Sequence, residues 1–146
     1  MIVTPHFTLE EFCASQTAAR LGINNDLPAG LYPTAKRTLQ GMEDIRTLLN
    51  SNAIKVSSGY RCPDLNKAVG SKPTSQHQLA EAVDFTCPTF GNVTQIVNAI
   101  VKSSINYDQV IREFDRTGNG WCHISFNDNP RKMALIIDAD GTRAFA

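Results

Sequence analysis

Glu81–Cys87 reads EAVDFTC, and Gly120–Phe126 reads GWCHISF. Both are short, alternating and rich in β-forming residues, the pattern of half-buried strands. Successive side chains of a strand point to opposite faces. In the first stretch Ala82, Asp84 and Thr86 share one side, and Val83 and Phe85 take the other. In the second, Trp121, His123 and Ser125 stand opposite Cys122, Ile124 and Phe126. Each stretch has one apolar side suited to a core and one side bearing a single strong ligand. If the two strands neighbour one another, Asp84 and His123 converge, and His77 reaches them from the preceding loop.

Outward from these strands, the chain divides into recognisable elements. HFTLEEFCASQTAARLG offers Thr8 as an N-cap with Glu11 three residues on, the capping-box pattern of a helix ending at Gly22. Leu39, Met42, Ile45 and Leu49 recur at helical spacing and predict a second helix over Pro33–Leu49. IKVSSGYR reads as a strand ending in a glycine turn, PDLNKAVGS as a brief helical turn, SKPTSQ as a polar loop and GNVTQIVNAIVKSS as an amphipathic helix. YDQVIREFD and KMALIID are further strands, with RTGNG and DADG as turns. Helices come first and hairpin-linked strands later. The expectation is one α+β domain over residues 1–146, its N-terminal helices packed on a mainly antiparallel sheet.

Composition narrows the partners. Lys+Arg and Asp+Glu both number 14, so nothing points to general attraction for nucleic acid or anionic membranes. No apolar run approaches the ~18 residues of a membrane span. MIVTPHFTLEEF lacks the form of a secretory signal, so synthesis in a cytoplasm is expected. Cys13, Cys62, Cys87 and Cys122 are scattered and fit reduced thiols, with a Cys62–Cys87 bridge left open. A monomer is the default.

Two imidazoles and a carboxylate, His77, His123 and Asp84, form a three-ligand zinc set with a fourth position open. Such an ion polarises carbonyls and acidifies water, which is the chemistry of amide hydrolysis.

SSGYRCPDLNKAVGSKPTSQHQLAEAVDF together with GWCHISF resembles the zinc D-alanyl-D-alanine carboxypeptidases and their phage endolysin relatives, peptidoglycan peptidases that share a fold with the hedgehog amino-terminal domain. The family pattern S-x-H-x-x-G-x-x-x-D is matched by Ser75, His77 and Asp84, and its W-x-H element by Trp121 and His123. The likeness extends over nearly the whole chain and implies a zinc peptidase acting on the stem peptide of peptidoglycan. The lack of a secretory signal or wall-binding module in this sequence fits an enzyme of lysin or virion type, made in a host or bacterial cytoplasm and expected to work in the cell wall after delivery by other means. Two departures stand out. The glycine of the first motif is Ala80, which is costly if the backbone there has positive φ. Many relatives carry a catalytic acid three residues before the last histidine, where this chain has Gly120.

The base must then come from elsewhere. Glu113, on a strand expected to pair with GWCHISF near the level of His123, is the candidate, and Asp115, two residues on along the same strand face, is the alternative. Arg61 corresponds to the family's substrate-side cation, suited to a peptide carboxylate or an oxyanion. Ser75 fits either orientation of the metal loop or contact with substrate. His6 belongs to no motif, Trp121 reads as a core or rim aromatic, and Asp138 with Asp140 fits a hairpin turn. Lys36, Arg37, Arg131 and Lys132 read as solvated charges. The rival reading is a zinc-containing binding or structural module of the same fold without hydrolysis.

Overall fold

The computed structural model describes residues 1–115 and 118–146. A short antiparallel pair, β1 (Ile2–Thr4) and β2 (Phe7–Thr8), leads into α1 (Leu9–Cys13) and α2 (Gln16–Leu21). A 3-10 turn at Ala29–Leu31 enters α3 (Tyr32–Leu48). Then come β3 (Lys55–Ser58), α4 (Pro63–Ala68), a 3-10 turn at Gln76–Leu79, β4 (Ala82–Thr86) and α5 (Val93–Val101). The chain finishes with β5 (Gln109–Glu113), β6 (Trp121–Ser125), β7 (Met133–Asp138) and β8 (Gly141–Ala144).

The sheet is six-stranded in the order β3-β4-β6-β5-β7-β8. All its pairings are antiparallel except β5 with β7. This is the expected α+β architecture with a mainly antiparallel sheet. Val83, Phe85, Val110, Cys122 and Ile124 bury one sheet face against Leu39, Met42 and Ile45 of α3 and Ile96, Val97 and Ile100 of α5. The opposite face is left to Asp84, His123 and Glu113. No helix among the described residues is long and apolar enough to cross a membrane.

Several local expectations need correction. The first helix is two. Thr8 and Glu11 form the capping box as the sequence indicates, but Ala14 is extended and Ser15 starts a new helix by accepting from Ala18 N at 3.1 Å. That cap satisfies a backbone donor that a continuous helix would have used differently. β7, whose partner the sequence leaves unassigned, crosses from β6 to the far side of β5 and pairs there in parallel. β1, β2 and β8 lie in segments that show no strand pattern in the sequence. The RTGNG turn includes Arg116 and Thr117, which lie outside the described residues. All four cysteines are free thiols, with Cys87 and Cys122 buried. Two of the cations taken as solvated are engaged: Arg37 pairs with Asp128 at 2.6 Å and Glu81 at 3.3 Å, and Arg131 with Asp108 at 2.8 Å.

The turn after β3 is held where helix and sheet nearly touch. Tyr60 N donates to Phe12 O at 2.8 Å, and a Cβ on Gly59 would lie 2.3 Å from that same oxygen. Backbone cannot swing aside as a side-chain tip can, so α1 would have to move. Gly59→Ala is therefore expected to destabilise the fold by about 1–3 kcal/mol, seen as a lower urea midpoint at unchanged slope.

Candidate metal centre

Register builds the centre. Asp84 and His123 are direct partners across the β4–β6 ladder. Their side chains meet on the face away from the core, with His123 Nδ1 2.9 Å from Asp84 Oδ1. His77 comes from the 3-10 turn immediately before β4, and its Nε2 lies 3.2 Å from the same oxygen. The two imidazole rings stand edge to face with centroids 5.1 Å apart.

The His77 ring is fixed from behind. Its Nδ1 is 2.7 Å from Gly59 O, so that nitrogen carries the proton and donates it, leaving Nε2 as a lone pair. Ser75 Oγ accepts from His77 N at 3.2 Å, and Arg61 N donates to His77 O at 3.1 Å. Ser75 thus braces the turn that carries His77.

These donors suit a metal ion. His77 is 2% exposed, and its Nε2 makes no hydrogen bond among the described residues despite its proximity to Asp84. A buried ring nitrogen without a partner is costly unless something else fills that role. The candidate donor atoms of His77, Asp84 and His123 all lie within 4.8 Å of one another. A tetrahedral zinc ion with bonds of about 2.0–2.2 Å sets its donors roughly 3.3–3.6 Å apart. The 3.2 Å from His77 Nε2 to Asp84 Oδ1 is close to that spacing, while His123 Nδ1 at 2.9 Å stands at hydrogen-bond distance.

Electrostatics follow the packing. Burial alone would raise the Asp84 carboxyl, but the two neighbouring imidazoles, with His123 Nδ1 at hydrogen-bond distance, outweigh it and hold the group well below the usual carboxylate range. His77 is pushed down by burial. Burial also works against the charged form of His123, yet the bond and charge of Asp84 leave it raised. Glu113 is pushed up to about 7, first by burial and then by the Asp84 charge.

Glu113 pairs with Trp121 rather than His123, whose partner on β5 is Ile111. Two positions along a strand keep the same face, so the carboxylate still reaches to 3.7 Å from His123 Nδ1. Asp115 is not on that face. β5 ends at Glu113, Phe114 takes φ 51°, and Asp115 Oδ1 turns to accept from Gly120 N at 3.1 Å. Gly120 itself has no room for an acid. A Cβ there would lie 2.2 Å from Glu113 O and 2.6 Å from Asp115 Cα.

Arg61 is half-buried, and burial lowers its pKa against the opposing charges of Asp84 and Glu113. It lines a recess of about 530 Å³ with Ser15, Gln16, Thr17, Ser57 and Ser58. Asn25, read from sequence only as part of a loop, clamps both neighbours of Arg61. Its amide donates to Tyr60 O at 2.9 Å and its oxygen accepts from Cys62 N at 2.8 Å. Nothing in its local pattern signals that role. Trp121 is half-buried with its ring centroid 5.7 Å from that of Phe114. His6 lies on the surface, 2.7 Å from Glu43.

Ala80 closes the His77 turn in the left-handed region, φ 59°, fully buried, its carbonyl accepting from Thr38 Oγ1 at 2.7 Å. The conformation costs an alanine about 1–2 kcal/mol, while burying its methyl returns about 0.8 kcal/mol. Ala80→Gly should therefore change stability by less than about 1 kcal/mol. Ala80→Val, branched and without space, should lower it by about 3 kcal/mol or more. Urea midpoints of the two variants check both. Zinc should also stabilise the wild type, by about 2.7 kcal/mol at a hundredfold excess over Kd. Asp84→Asn should lose most of that rise in a thermal melt.

The chain has no match among curated proteins. A family model described as Peptidase M15 matches residues 5–125. With most of its length inside that match, the chain belongs to the Peptidase M15 family of zinc-dependent metallopeptidases.

Proposed function

We propose that the protein is a zinc peptidase that hydrolyses amide bonds in the peptide part of bacterial peptidoglycan. The observation that carries this reading is the pairing of a buried metal-donor set with a carboxylate, Glu113, that stands 3.7 Å from His123 Nδ1 on the same sheet face. His77, Asp84 and His123 would hold the ion. When bound there, zinc supplies Lewis acidity toward the scissile carbonyl and lowers the pKa of water in the site.

The remaining chemistry belongs to the chain. Glu113 takes a proton from the attacking water and returns it to the departing amine, work suited to a carboxylate beside the donor set. Arg61, whose charge acts on both Asp84 and Glu113, would bind a substrate carboxylate or the oxygen on which charge develops. Asp84 stays ionised and serves as a ligand. The carboxylate that many relatives carry three residues before the last histidine has its counterpart in Glu113, because the backbone around Gly120 excludes a side chain.

Purified peptidoglycan incubated with the zinc-loaded protein should release new amino groups. Glu113→Gln should reduce that rate by about 10²–10⁴-fold while leaving zinc content unchanged, and Asp115→Ala should retain most of it. Full zinc occupancy with no cleavage by the wild type would instead support a binding module. Mass spectrometry of the released fragments identifies which bond is cut.

A further inference from the structure

The proposed ligand His77 sits on a four-residue 3-10 turn, Gln76–Leu79. Such turns have poor internal hydrogen-bond geometry and hold their orientation only through what surrounds them. A metal ligand must nevertheless be kept within about 0.5 Å and 10–20° of its working position. The bonds from Gly59, Arg61 and Ser75 reach the turn from the neighbouring loop or from within the turn segment itself. One further tie runs to the sheet. The side-chain amide of Gln76 donates to Asp108 Oδ2 at 2.9 Å.

Asp108 is an unusually firm anchor. Its residue is 0% exposed, and its carboxylate accepts from Arg131 N at 3.0 Å, Nε at 2.8 Å and Nη2 at 2.8 Å. The planar guanidinium fork fixes both oxygens. The backbone of Asp108 is tied into the sheet as well, donating to Ser125 O at 2.8 Å and accepting from Met133 N at 2.9 Å. Gln76 bonds to this assembly through its side chain while its own carbonyl accepts from Glu81 N at 3.1 Å, at the threshold of β4.

We propose that Gln76, held by the buried Asp108 carboxylate that Arg131 grips from the surface, is a positioning residue that sets the turn carrying His77 for metal binding. The inference rests on His77 being a zinc ligand. Gln76 is itself only half-buried and makes no contribution to the apolar core, so its removal should loosen the turn without unfolding the protein. A purely structural role for the network predicts the reverse, lost stability and unchanged metal affinity.

The test is zinc affinity of the metal-free full chain, measured by competition with a chromophoric chelator, beside the unfolding midpoint of the same metal-free samples. Gln76→Leu is expected to bind zinc at least about tenfold more weakly with its midpoint close to wild type. Asp108→Ala should weaken binding as well. The double variant should be no weaker than the worse single one, because both cut the same link. Wild-type affinity in Gln76→Leu, or losses that multiply in the double variant, overturns the proposal. Should Asp108→Ala not fold, Gln76→Asn, one methylene too short to reach, takes its place. It is expected to lose affinity like Gln76→Leu, and undiminished binding overturns the proposal. Failure of the wild type to bind zinc at all brings down the metal reading itself, an outcome distinct from wild-type binding that Gln76→Leu preserves.

Discussion

The direct pairing of Asp84 with His123 across β4 and β6 is the constraint on which the site depends. A slip of one residue in this ladder would send one of the two side chains to the other face. What prevents the slip is the far side of the same strands. Val83, Phe85, Cys122 and Ile124 are all fully buried there. Each large apolar side chain in that set contributes about 1.5–3 kcal/mol by leaving water, and a slipped register would forfeit several such terms together. The contact between a carboxylate and an imidazole is weaker than that sum. The core therefore dictates the polar geometry, and the candidate metal centre inherits its precision from hydrophobic packing.

The same enclosure gives two acids opposite proton affinities. Asp84 and Glu113 share one face of the sheet and a low-dielectric setting that disfavours charge. Asp84 has both histidines against it and stays ionised, whereas Glu113 meets burial and the Asp84 charge with only the weaker opposition of His123 and Arg61. Neighbouring carboxyl groups with divergent proton affinities are a recurring basis for acid–base assignment. Here the divergence follows from strand position, since Glu113 lies two residues from the level of His123.

Much of this was legible in the sequence for physical reasons. Alternation in EAVDFTC and GWCHISF identified which side chains share a face, because strand periodicity leaves little freedom. The capping box at Thr8 and the apolar spacing of α3 marked helices through local chemistry alone. What escaped was nonlocal. Whether β7 pairs with β6 or β5 depends on the whole sheet, and KMALIID looks the same in either place. Asp108 and Arg131 are separated by more than twenty positions along the chain, so Arg131 looked like any solvated cation. The break at Ala14 came from a single serine cap competing with helix continuation. Asp115 left the expected face because Phe114 turns left-handed, an event invisible to alternation.

The donors enter the chain in a fixed order, and that has a consequence for how the protein is made. As the polypeptide leaves the ribosome, His77 and Asp84 emerge well before His123, and β4 at that moment has only β3 beside it. A two-donor fragment holds a divalent ion far less firmly than the closed set. Closure of the three-donor set is thereby deferred until β6 has been synthesised and docked between β4 and β5, a late, long-range step of the kind that slows folding. The centre is completed only when the middle of the sheet is, so cells producing this chain would load it after translation rather than during it.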